Sequence, residues 1–178
     1  MYMPKTLIIS ASPRKQNTDF ILGEILKNVS GQKEFIKLST KNIKTCLGCS
    51  ACQKKFGCVI KDDMTEIYKK LIWADTVVIG TPDYFGNVSG IMKNFIDRCH
   101  TFYKYKKLKT KKLILIMTGG QSTPNVLKDL KNSTWCFAKY VFWGEPRYFA
   151  FGDMDDVDVK KDNKVLSHIT KIVKQINK

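Results

Sequence analysis

Thr6-Leu7-Ile8-Ile9-Ser10-Ala11-Ser12-Pro13-Arg14-Lys15-Gln16-Asn17-Thr18 is an apolar run of strand length, a polar turn, and the first turn of a helix. The helix continues to Val29, with Phe20, Ile21, Leu22, Ile25, Leu26 and Val29 on one face at helical spacing. A strand that feeds a helix through a short turn is the repeating unit of a parallel sheet, and the unit recurs down the chain. Phe35 to Leu38 reads as a short second strand, Asp75 to Gly80 as a third, Leu113 to Met117 as a fourth and Arg147 to Phe151 as a fifth. Between them, Asp63-Met64-Thr65-Glu66 resembles a capping box ahead of a stripe of Met64, Ile67, Tyr68, Leu71 and Ile72. Ser89 to Cys99 is helical, Thr123-Pro124 reads as an N-cap followed by proline, and Val165, Leu166, Ile169, Ile172, Val173 and Ile176 mark a last amphipathic helix. Strands alternating with helices in this order predict an α/β fold: a doubly wound five-stranded parallel sheet of order 2-1-3-4-5 in three α/β/α layers. Its ligand crevice would lie beyond the carboxyl ends of the strands, between the first and third.

With 178 residues, 43% of them apolar, the chain has material for one core, so a single domain over 1–178 is expected, carrying a Cys-rich loop at 45–62. No apolar run approaches the roughly 18 residues of a membrane span, and no secretory signal opens the chain. A cytoplasmic protein without membrane partners is the expectation. The formal charge of +15 would attract anions over a distance that salt shortens. Only Lys104 to Lys112 is a dense basic run, read as a solvated loop, and no nucleic-acid recognition module accompanies it. Binding to nucleic acid is not expected, and a non-enzymatic regulator of an anionic partner is kept as a reading from another class.

Three loops fall at the predicted crevice. The first, Ser10 to Thr18, offers hydroxyls, an amide, two cations and the free N–H groups of a helix start, the set that a phosphate monoester needs. It lacks the glycines of a Walker loop or a dinucleotide fingerprint, which points to a mononucleotide; an ordinary polar loop capped by Asn17 or Thr18 is the plainer reading. The second, Thr81-Pro82-Asp83-Tyr84-Phe85-Gly86-Asn87-Val88-Ser89-Gly90, holds two aromatics able to flank a planar ring, unless they plug the core. The third, Thr118-Gly119-Gly120-Gln121-Ser122, lets backbone approach a ligand.

Cys46, Cys49, Cys52 and Cys58 form C-x2-C-x2-C-x5-C, close enough in sequence to wrap a [4Fe-4S] cluster, with zinc the next reading. A disulfide framework does not suit a reducing compartment. Cys99 and Cys136 have no partner at motif spacing and read as buried small hydrophobes. His100 and His168 are too far apart to argue a metal pair, and Trp73, Trp135 and Trp143 are expected in the core or at a subunit interface. Asp153, Asp155, Asp156 and Asp158 lack the glycine and glutamate of a calcium loop and read as a solvated turn.

Taken together, Ser12-Pro13-Arg14-Lys15 with Asn17-Thr18, the cysteines leading to Asp62-Asp63-Met64, Ala74-Asp75 ahead of a strand, and Thr81 to Gly90 running into Met92-Lys93-Asn94-Phe95-Ile96-Asp97-Arg98 resemble the flavodoxin-like group of NAD(P)H-dependent FMN reductases and iron-sulfur flavoproteins. The resemblance implies that Ser10, Ser12, Arg14, Lys15, Asn17 and Thr18 bind the FMN phosphate. It assigns Pro82, Asp83, Tyr84, Phe85, Gly86 and Asn87 to the isoalloxazine and ribityl chain, with Thr118, Gly119 and Gly120 beside them. It implies an oxidoreductase passing electrons from NAD(P)H through FMN to a quinone, a flavin or another small-molecule or redox-protein acceptor. The alternative within the group is an iron-sulfur flavoprotein exchanging electrons with ferredoxin through a [4Fe-4S] cluster on the four cysteines. A homodimer or homotetramer is implied, and no dedicated catalytic side chain, since the flavin carries the chemistry.

Overall fold

The computed structural model describes residues 2–155 and 159–177. Strands β1 (Lys5–Ser10), β2 (Gln32–Lys37), β3 (Thr76–Pro82), β4 (Lys112–Thr118) and β5 (Arg147–Phe151) pair in parallel in the order β2-β1-β3-β4-β5. Every residue of β3 is buried, as a central parallel strand covered on both faces must be. The outer strand β2 instead carries Lys33 and Lys37, charges that blunt an open edge.

Alternation along the strands divides the core in two. Leu7, Ile9, Val77, Ile79 and Leu115 face one layer, where α3 (Met64–Trp73), α4 (Gly90–Arg98) and α6 (Thr123–Phe137) bury Leu71, Phe95 and Leu130. Ile8, Val78, Ile114 and Ile116 face the other, against α1 (Asn17–Asn28) and α7 (Asn163–Ile176). Contact between α1 and β3 is unusually close: a Cβ on Gly80 would meet Leu22 at 2.7 Å. Among the described residues no helix is long and apolar enough to cross a membrane.

Several local expectations shift. The Asp63–Glu66 capping box does not form; Asp63 makes no side-chain cap, Glu66 pairs with Lys69, and Asp62 Oδ1 accepts the Met64 amide instead. The cap of α6 is Ser122 rather than Thr123, whose hydroxyl accepts from the Gly152 amide. The basic run from Lys104 is largely exposed, as a solvated loop would be, but it is tied down. It completes α5 (Thr101–Tyr105), Lys106 and Lys107 lie over the Trp143 and Phe56 rings at 4.2 and 4.4 Å, and Lys104 and Lys111 donate to the carbonyls of Gln53 and Ile72. Trp135 is exposed, so of the two places expected for it the core is excluded. Asp156 and Asp158 lie outside the described residues.

Candidate functional site

The first loop leaves β1 at a buried point and reaches α1 with its donors outward. Ser12 Oγ donates to the Arg14 carbonyl and accepts from the Arg14 amide, a hydroxyl-closed turn that fixes the loop without glycine. Gln16 at the N-cap supplies no side-chain bond, and the first in-helix amide bond is Phe20 to Gln16, so the amides of the first turn stay open. Arg14 has no carboxylate partner among the described residues, and its guanidinium lies 6.0 Å from the Tyr84 ring centroid. An unpaired cation therefore sits beside uncapped helix amides, the arrangement that stabilises an anion.

The second loop is a small hairpin. Asp83 and Val88 bridge antiparallel, Tyr84 donates to the Asn87 carbonyl, and Phe85 and Gly86 carry φ of 55° and 71°. Positive φ at both central positions is the type I′ turn, which favours Asn-Gly and is strained for phenylalanine. Phe85 is wholly exposed at the tip. In the third loop a Cβ on Gly119 would lie 2.9 Å from the Asp83 Cβ, and one on Gly120 would run into the Asp155 carboxylate at 2.0 Å. Those glycines are what allow the backbone to come this close.

Cross-bonds hold the three loops together. Ser89 caps α4 by accepting from Met92 and donates to the Ala11 carbonyl at 2.7 Å; Thr18 and Thr118 share a hydroxyl contact of 2.7 Å; Asn17 Nδ2 donates to the Met154 carbonyl. The Ala11 amide donates to Gly80 and the Asp83 amide to Thr118. Ser12, Arg14, Asn17 and Thr18 thereby meet Pro82, Asp83 and Tyr84 and also Thr118, Gly119 and Gly120 around one cleft of about 80 Å³. Pockets that enclose a whole ligand run to ~300–1,000 Å³, so this cleft fits a phosphate head, with any ring lying over its rim. A groove of about 870 Å³ adjoins it and shares the first loop, but its remaining walls come from α1, β2 and the segment after β5, with no described residue of the second or third loop among them. The smaller cleft is the better site because it lies where the sheet topology puts a ligand.

Not every expected residue reaches the cleft. Ser10 is fully buried and its hydroxyl donates to Asp19 at 2.5 Å; Asp19 also pairs with Lys37 at 2.5 Å, so Ser10 braces the loop from behind. Lys15 faces the larger groove. Phe85, Gly86 and Asn87 form the hairpin above the cleft. Met154 and Asp155 belong to the site although no motif marks them, while Ser89 and Gln121 lie in the second and third loops without an expected role there. The donor set fits FMN at its phosphate, and a buried Asp83 Oδ1 with no partner leaves an unmet polar atom beside the cleft.

The cysteine loop is organised differently. Its base is clamped: Arg98, with Asp62 wholly buried beside it, donates to both Asp62 oxygens at 2.6 and 3.0 Å and to the Lys44 carbonyl, and Asn94 donates to the Ile43 carbonyl. Burial works to raise the Asp62 carboxyl, but Arg98 and the Lys44 and Met64 amides outweigh it and hold the group below its ordinary range. The tip is open, with Cys46 and Cys49 exposed and Cys52 and Cys58 half-buried. Burial first, then the neighbouring Cys58, Cys46 and Cys49, raise the Cys52 thiol. Among the described residues no three His, Cys, Asp or Glu side chains converge as a metal site, so this arrangement of the loop does not itself fit a cluster. Cys52 Sγ instead lies 3.6 Å from His100 Nδ1. Cys99 is buried as expected, whereas Cys136 is exposed, because α6 turns Trp135 and Cys136 outward and Phe137 inward. The clamp and the cleft occupy opposite ends of α4, nine residues and ~13 Å apart.

Residues 4–150 match the family model of the NADPH-dependent FMN reductases. The chain is 43% identical over 122 residues to an iron-sulfur flavoprotein of Methanocaldococcus jannaschii, a stretch covering 65% of this chain and 62% of that protein. It is 31% identical over 172 residues to an iron-sulfur flavoprotein of Archaeoglobus fulgidus, covering 93% of this chain and 78% of the relative. Against other curated relatives of that name the matched span is smaller, down to 44% of the relative's length. An NAD(P)H:quinone oxidoreductase from Methanothermobacter marburgensis superposes with a TM-score of 0.71 at 14% identity, covering 99% of this chain and 98% of the other, a likeness of fold.

Proposed function

The chain belongs to the NADPH-dependent FMN reductase family, and from that premise we propose that it holds FMN and passes electrons from NAD(P)H to a quinone, a flavin or another small acceptor. The observation that carries this reading is the meeting of three sheet-edge loops around a phosphate-sized cleft, with an unpaired Arg14 beside the open amides of α1. Ser12, Arg14, Asn17 and Thr18 hold the phosphate. Pro82, Asp83 and Tyr84, with Phe85 above them, border the ring, and Thr118 to Gly120 let its edge approach backbone. Ser10 and Ser89 position the loops rather than touch the ligand. Bound FMN would supply the capacity to take up a hydride and release electrons singly or in pairs; the residues named here would hold and orient it.

Rapid mixing of FMN-loaded protein with NADPH or NADH under anaerobic conditions tests this. Bleaching of the flavin band is the expected result, and inertness toward both nucleotides removes the reading.

A second reading is favoured by the thiols of the cysteine loop and by the relatives named above. In it the loop gathers its four cysteines around a [4Fe-4S] cluster, and the electron partner is a redox protein such as ferredoxin. Absence of iron and acid-labile sulfide from anaerobically prepared protein ends it. We further take the protein to be cytoplasmic, where its six free cysteines stay reduced, and to be a single-domain homodimer or homotetramer that covers exposed aromatics such as Trp135 and Tyr103.

A further inference from the structure

The second loop brings a carboxyl group into the cleft where a negative charge is poorly supported. Asp83 Oδ1 is buried without a partner, and Oδ2 accepts from Gln121 Nε2 at 3.3 Å. The same Gln121 nitrogen donates to Asp129 Oδ2, also at 3.3 Å, so two carboxyl groups share one neutral amide. Burial first, and then the Asp129 charge, push the Asp83 carboxyl above its ordinary range; the Asn87 and Gly86 amides and Gln121 offset part of this without closing a bond on Oδ1. The other ionisable groups around the cleft are Arg14 from the first loop, whose guanidinium is turned toward the Tyr84 ring, Tyr84 itself, and Asp155 from beyond β5, which adds negative charge. No cation is paired with Asp83 among the described residues.

A flavin ring presents several acceptors along its polar edge, its two carbonyl oxygens and bare ring nitrogens, and a single N–H donor. An ionised carboxylate can only accept, whereas a protonated one can donate. We propose that Asp83 carries a proton when FMN is bound and donates it as a hydrogen bond to an acceptor on the ring edge, so that FMN binding is coupled to uptake of one proton. The inference rests on FMN as the occupant of the cleft. No covalent bond changes except the O–H formed on Asp83 with a proton taken from water.

The test is the dissociation constant of FMN, read from quenching of its fluorescence between about pH 5 and about pH 8 for the wild-type chain and for Asp83→Asn, which keeps a donor but cannot ionise. Titration of the phosphate is common to both, so the ratio of the two constants isolates Asp83. The ratio is expected near one at the acid end and to rise until the wild type binds roughly tenfold more weakly than Asp83→Asn at the alkaline end. A flat ratio overturns the proposal. So does the opposite trend, which would mean that an ionised Asp83 accepts the ring N–H.

Asp129→Asn supplies an independent arm: loss of the neighbouring charge should move the midpoint of the pH dependence downward, and an unchanged midpoint overturns the account. Should Asp83→Asn not fold, calorimetry of the wild-type chain in two buffers of different ionisation enthalpy gives proton uptake directly. Above about pH 7.5 the phosphate is already dianionic, so uptake approaching one proton is expected there and none overturns the proposal. If no FMN binds at any pH, the functional reading falls with the inference, an outcome distinct from binding with a flat ratio.

Discussion

The cleft and the cysteine loop sit at opposite ends of α4, and the chain fastens them in different ways. Around the cleft the three loops are tied to one another where they leave their strands and enter their helices, through Ser89 to Ala11, Thr18 to Thr118 and Asn17 to Met154. In the cysteine loop Arg98 and Asn94 grip residues 43, 44 and 62 at the base, Thr101 and Lys104 hold Gly57 and Gln53, and Cys46 and Cys49 lie exposed beyond these ties. A site whose loops are tied to one another keeps its shape without a ligand and binds at small entropic cost; one whose ligating atoms lie beyond its ties leaves them to be gathered by whatever they bind.

The largest effect expected from breaking this contrast is at the clamp. Arg98→Ala strands a buried Asp62 carboxylate and should cost about 3–5 kcal/mol in urea unfolding. If the base clamp serves only its own end of α4, FMN affinity of the folded fraction stays as in the wild type; a parallel loss of affinity would show that α4 transmits the damage. At the other end, Arg14→Ala removes an exposed side chain and should leave the urea midpoint in place. It should weaken FMN binding by about 1.5–3 kcal/mol, the value of a hydrogen bond to a charged group, as read by fluorescence titration. The smallest effect is at the hairpin tip. Phe85→Asn relieves the left-handed strain and should raise stability by about 1 kcal/mol while loosening the hold on FMN, separating what the strained residue costs the fold from what it gives the site.

The order of the strands could be read from the alternation of periods, because each strand run is long, apolar and followed by its helix. Boundaries depended on partners far away in sequence. Asp62, not Asp63, serves Met64 because Arg98, 36 residues on, holds Asp62 in place. The loops of the cleft could be located from the switch-point rule, since topology alone places them. Which of their residues face inward could not: the hydroxyl of Ser10 is held by Asp19 behind the loop, and the carboxyls that meet at Gln121 are separated by the whole of β4. Cys136, between a tryptophan and a phenylalanine, reads as buried, and only the rotation of α6 about its axis shows that it faces outward with Trp135 while Phe137 faces inward.

Gly80 lies at the midpoint of this architecture, in the strand between the two halves of the sheet, where Leu22 occupies the space that a side chain would fill. That missing methyl sets the height at which α1 rides above the sheet. Alanine there would press on the Leu22 side chain through which α1 seats on β3, so the packing behind the anion cradle is set at an atom that never meets the ligand.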